Sequence, residues 1–284
     1  MEKLRQMGRR KWHVILLLMV LMVSTAPWYY LLRSVVVMWP YSLHHQKMSL
    51  INKNEYYLDI PTNQIQKDDR WHPLVLVFHD EVGFERWKGE PWALTVLYRF
   101  GGFSPWQHNS SYYDHTSPRF SSFYGAYLVQ HKETPELAFG FDKAGNIDPD
   151  QWTSVTEYDQ RFLVMPSMGL NPKDVTFDIE IEKIESDVTY VGRKGWTQID
   201  ASIITNSPQH VYQKHQRGYL QYGNPLPPQE GHADFEIIRL YGRFYAIFEN
   251  EYELSLGLYL LAPDRETLEQ IDQEELSRMI LPEW

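Results

Sequence analysis

The tripeptide His79-Asp80-Glu81 is the strongest polar cluster in this sequence of 284 residues. It follows the apolar run Leu74 to Phe78, which has the length and residue choice of a buried strand. A strand end is where metal-binding and acid–base groups often emerge, and imidazole beside carboxylates suits zinc or manganese. Asp114-His115 and His232-x-Asp234 supply further donors, so His79, His115, His232 and Asp234 form a candidate ligand set. With His79, Asp80 and Glu81 as catalytic groups, such a centre would activate water, and the chain would be a metal-dependent hydrolase. No fixed ligand spacing ties the set together, so the plainer reading is a group of ordinary polar loop residues.

Two other acidic patterns invite a cation. Asn146, Asp148 and Asp150 place oxygens at alternate positions with Glu157 in the twelfth place, but Pro149 and Gln151 interrupt a calcium-loop pattern and the required Gly is missing. Asp178, Glu180 and Glu182 form an acidic row, which at two-residue spacing reads as the solvated face of a strand. The sequence contains no Ser-x-x-Lys, Gly-x-Ser-x-Gly, His-Glu-x-x-His or Gly-x-Gly-x-x-Gly pattern, and no Gly-Lys dipeptide to end a P-loop. With no cysteine, thiolate chemistry and disulfides are excluded. No cofactor is expected.

Aromatic residues are 15% of the chain, and some fall where packing does not demand them. Residues 101–122 and 205–233 form connections too long for structural economy, and loops of this length are usually functional or disordered. They carry Trp106, Tyr112 and Tyr113 in the first, and Tyr212, Tyr219 and Tyr222 in the second. Tyr and Trp pair a broad apolar face with a polar tip, which suits saccharide or protein surfaces. These six are the candidate ligand or partner contacts.

The elements that would position these groups are mostly strands. Segments 74–78, 93–100, 123–130, 137–141, 161–165, 188–191, 196–204, 235–240, 244–248 and 254–261 are strand-like in residue choice, with Tyr241-Gly242-Arg243 as a tight turn. Phe177, Ile179 and Ile181 alternate with the acidic row, a clear period of two. Thr267-Leu268-Glu269-Gln270 has capping-box form, and Leu268, Ile271, Leu276, Met279 and Ile280 recur at helical spacing across 264–281. The expected fold is α+β: one β-rich, mainly antiparallel domain over 73–284, closed by a C-terminal helix.

Lys3, Arg5, Arg9, Arg10 and Lys11 oppose Glu2 alone, and from Val14 to Leu32 only Tyr29 and Tyr30 are ionisable. That run makes about 28 Å of helix at roughly 1.5 Å per residue, close to one hydrocarbon core. The reading is a cytoplasmic tail at 1–13, a single transmembrane signal anchor at 14–39, a polar stalk at 40–72 and an exported domain. A cleaved signal ending near Ala26 is the alternative, and it would make the domain secreted. The whole chain is −10, and beyond residue 40 the acidic excess is larger still, which disfavours nucleic acid. An exported domain of this size without cysteine points to a bacterial cell envelope. The expected function is a non-catalytic, membrane-anchored extracytoplasmic binding protein contacting an envelope glycan or membrane-protein partner through the two aromatic loops. A structural assembly factor acting through 14–39 and the C-terminal helix is a further alternative.

Overall fold

The computed structural model describes residues 12–21, 40, 42–60, 75–99, 103–104, 109–110, 122–164, 171–206 and 237–282. Its centre is a seven-stranded sheet built from β1 (Val75–Asp80), β2 (Trp92–Arg99), β5 (Phe123–His131), β6 (Phe177–Tyr190), β7 (Arg193–Thr205), β8 (Ile238–Glu249) and β9 (Leu254–Ala262). The order is β1-β2-β5-β9-β8-β7-β6, and every neighbouring pair is antiparallel. A small ribbon of β3 (Phe103–Ser104) and β4 (Asn109–Ser110) lies in the connection between β2 and β5. After β5 the chain runs through α2 (Pro149–Tyr158) to the far edge at β6. The meander from β6 to β9 then brings β9 back against β5. The α+β, mainly antiparallel expectation holds.

Strands β2, β5 and β9 are buried along their whole length because both faces of the sheet are covered. On one face, Leu94, Val96, Tyr127 and Tyr259 pack under Phe84 of α1 (Val82–Lys88) and Trp152, Val155 and Tyr158 of α2. On the other, Ala93, Leu97, Leu128, Leu256 and Leu258 pack under Leu50, Tyr56 and Ile60 and under Leu268 and Ile271 of α3 (Arg265–Glu274). A strand with two covered faces loses its alternation and reads as an unbroken apolar run.

Several sequence expectations change. Residues 42–60, assigned to a polar stalk, belong to the core layer: Leu50, Tyr56 and Ile60 are buried there. Only every third or fourth residue of a helical segment faces the sheet, so a largely polar composition conceals the contact. Tyr241-Gly242-Arg243 is not a turn but the middle of β8, bonded to β7 and β9 on both sides. Segment 137–141 forms turns and one bridge, Phe141 to Ile147. Arg161 to Val164 belongs to a π-helical turn over Asp159–Val164, not a strand. The C-terminal helix begins where expected, with Asp264 as its N-cap accepting from the Thr267 amide at 2.8 Å, but it ends at Glu274, short of Leu281, and gives way at Leu276–Arg278 to a 3-10 turn.

Residues 12–21 are helical with exposed apolar side chains, and 22–39 lie outside the described residues. Among the described residues no helix is long and apolar enough to cross a membrane.

Candidate functional site

Strand geometry separates His79 from Asp80. Successive side chains point to opposite faces, so His79 turns toward the 42–53 segment and Asp80 toward α2. His79 Nδ1 lies 2.8 Å from Thr95 Oγ1, which also accepts from the Leu50 amide at 2.9 Å. Its Nε2 lies 3.2 Å from Glu81 Oε1. Burial lowers the pKa of His79, against the opposing effect of the Glu81 hydrogen bond. Asp80 instead caps α1, accepting from the amides of Val82 at 3.0 Å and Gly83 at 2.8 Å, and from the Tyr158 hydroxyl. The tripeptide ties three elements to the strand end. Among the described residues no three His, Asp or Glu side chains converge as a metal would require. His115, His232 and Asp234 lie outside the described residues, as do Trp106, Tyr112, Tyr113, Tyr212, Tyr219 and Tyr222.

The acidic patterns also have local partners. Asp148 caps α2 through the Gln151 amide, Asn146 donates to Asp142, and Glu157 pairs with Arg161. Asp178 and Glu180 face solvent on β6, and Glu182 pairs with Arg265.

A different feature lies on the α2 face of the sheet. Between α2 and the sheet lies a half-open groove, about 500 Å³ of empty space with the open solvent at its mouth included. Its floor follows one row across the sheet: Ile181 is paired with Ala201, Ala201 with Gly242, and Gly242 with Leu261. Two adjacent small residues in the middle of a row leave a depression. Ile179, Ile199, Ile203 and Phe244 flank it, and Trp152, Thr153 and Thr156 of α2 form the opposite wall. Arg243 adjoins the floor through its backbone, but its side chain turns to the opposite face, where the guanidinium is held by Asp200 at 2.7 Å, Glu269 at 2.6 Å and Asp272 at 2.9 Å. The lining is therefore almost wholly apolar, with two threonine hydroxyls as its polar accents.

Behind the Thr156 wall sits a fully buried carboxyl, Asp159, on the π-helical turn. Tyr127 donates to its Oδ2 at 2.8 Å, and the Tyr98 hydroxyl contacts Oδ1. Burial raises the pKa of Asp159 to about 8 despite the hydrogen bond from Tyr127. Tyr127 stacks on Tyr259, a groove residue, with ring centroids 4.4 Å apart.

The sequence reading missed the groove. Its signal was the apolar side of the alternation at 177–181, combined with the small residues Ala201 and Gly242. Their adjacency depends on strand register, and a turn at 241–243 would have hidden it.

Fold and site together define an α+β protein with a doubly covered antiparallel sheet and an apolar groove on one face. Comparison with protein-family models, curated proteins and solved structures found no match.

Proposed function

We propose that this chain is a non-catalytic, membrane-anchored extracytoplasmic binding protein of a bacterial cell envelope that holds an aliphatic chain in the groove between α2 and β6–β8. The observation that carries the reading is the Ile181–Ala201–Gly242–Leu261 row under Trp152, an apolar concavity half open to solvent. Its walls are mainly aliphatic and offer no free charge, which suits an acyl chain better than a sugar or a peptide. Each buried methylene contributes about 0.8 kcal/mol, so eight supply about 6 kcal/mol before the cost of immobilisation. The basic cluster before Val14 and the apolar run Val14 to Leu32 support the anchor, and the absence of cysteine supports the envelope. The six loop aromatics named above remain the proposed contacts to a glycan or protein partner on the strength of composition.

The test is displacement of a fluorescent acyl-chain probe by palmitate on the purified full chain. Saturable one-to-one binding that falls at least roughly tenfold in Ala201→Trp, with the unfolding transition retained, is the expected result. Equal binding by that variant, or none by the wild type, removes the groove as the site.

A further inference from the structure

Arg99 ends β2 on the face of the sheet opposite the groove. It is 0% exposed, yet Nε, Nη1 and Nη2 all lack a hydrogen-bond partner. Its cross-strand neighbours are Val75 of β1 and Tyr124 of β5. The guanidinium carbon lies 6.0 Å from the centroid of the Tyr124 ring, a contact that favours the cation without satisfying any N–H. The Tyr124 hydroxyl donates to Glu275 Oε2 at 2.6 Å, so this buried carboxylate is reached through the tyrosine. Among the described residues no carboxylate forms an ion pair with Arg99.

Such an arrangement is incomplete in a specific way. A guanidinium cannot shed its proton to escape burial, as a buried lysine or histidine can. It carries five donors in a planar fork matched to oxyanions, and burying them without acceptors is strongly unfavourable. We infer that Arg99 is the anchor of an oxyanion-binding site, taking a phosphate or carboxylate group onto its fork, with the Tyr124 ring as the other side of the guanidinium's surroundings. This site is independent of the groove, since the two lie on opposite faces of the sheet. Phosphate can arrive free or as a phospholipid headgroup, and both present the same oxygens.

The test measures the thermal midpoint of the full chain after equilibration in sodium phosphate, sodium acetate or sodium chloride at equal ionic strength. A further arm compares micelles of a short-chain phosphatidylglycerol with matched phosphatidylcholine. Oxyanion at about 100 times its Kd is expected to raise the wild-type midpoint by roughly 5–10 °C over chloride. The rise should vanish in Arg99→Met and shrink in Arg99→Lys, which keeps the charge but loses the fork. A response to phosphatidylglycerol alone identifies the headgroup as source, and a response to phosphate or acetate identifies the free ion. Equal midpoints in every arm overturn the site, as does an unchanged rise in Arg99→Met. If Arg99→Met does not fold, Arg99→Lys decides: a rise equal to wild type overturns the site. A variant more stable than wild type in every salt, with no anion response in either protein, would show that Arg99 is only an uncompensated charge.

Discussion

The Tyr127 hydroxyl lies 2.8 Å from Oδ2 of Asp159, and neither side chain reaches solvent. Burial holds Asp159 neutral to about pH 8, whereas an unfolded aspartate ionises near 3.8. The folded form therefore keeps a proton that the unfolded form releases between those values. The stability this contributes is complete below about pH 4 and is lost as pH rises to about 8, at up to about 1.4 kcal/mol per pH unit. Asp159→Asn keeps an acceptor and a donor for the two tyrosines but does not titrate. Relative to wild type, its unfolding free energy in urea titrations between pH 5 and 8 should lose a decline with rising pH worth about one proton. Parallel slopes would place the proton elsewhere.

On the acid side the histidines act in the opposite sense. β1 is an edge strand, and its outward groups are met by side chains: Ser42 Oγ accepts from the Val77 amide at 2.9 Å, and His45 Nδ1 lies 3.1 Å from His79 N and 2.9 Å from His79 O. A capped edge is closed to pairing with other chains. Burial lowers the pKa of both His45 and His79 below the usual 6.5. Their neutral forms favour the fold above about pH 6.5, and that contribution falls as pH drops and the unfolded histidines protonate. Amide exchange at Leu50, whose N–H is held by Thr95, should accelerate on acidification from pH 7 to 5 beyond the intrinsic pH effect. His45→Ala should show the faster exchange already at pH 7.

Arg243 carries the junction between sheet and C-terminal helix. One guanidinium holds Asp200, Glu269 and Asp272, while Tyr245 and Tyr190 donate to Asp272 at 2.7 and 2.5 Å. Removing the cation leaves two largely buried carboxylates facing each other without compensation. Arg243→Ala should cost about 3–5 kcal/mol in chemical unfolding. Arg243→Lys should cost less, since it retains the charge but not three simultaneous hydrogen bonds. A loss below about 1 kcal/mol would mean that the cluster repacks.

The pattern of success in reading the sequence follows from this architecture. Phe177 to Ile181 alternate because one side of β6 is open, and Leu254 to Ala262 run unbroken because β9 is covered twice, so both strands were legible. The helical residues at 42–53 were not, because a few buried side chains such as Leu50 secure a segment of polar average. Arg161 to Val164 carries strand-like residues in a π-helical turn, where packing behind α2 outweighs local preference. His79-Asp80-Glu81 drew attention by composition, but the pleat sends its neighbours to opposite faces. The groove required register: Ala201 and Gly242 are far apart in sequence and meet only when β7 and β8 pair.

Two glycines separate stability from binding at that groove. A methyl group on Gly257 would collide with Phe244 and stand 2.7 Å from Cζ3 of Trp152, two large rings that wedge α2 against β9. Neither ring can move without disturbing its neighbours, so Gly257→Ala should cost about 1–3 kcal/mol in urea unfolding and distort the groove wall as well. Gly242→Ala presses on the ends of two flexible side chains, Ile203 Cδ1 and Leu261 Cδ2, each at 3.2 Å, and meets the Leu260 carbonyl at an ordinary contact distance of 3.8 Å. Its stability should stay within about 1 kcal/mol of wild type, while the added methyl fills part of the floor and weakens acyl-probe binding. The informative result is the dissociation between the two: a Gly242→Ala chain with normal stability and normal probe affinity would mean that the depression at the Ala201–Gly242 pair does not receive the ligand.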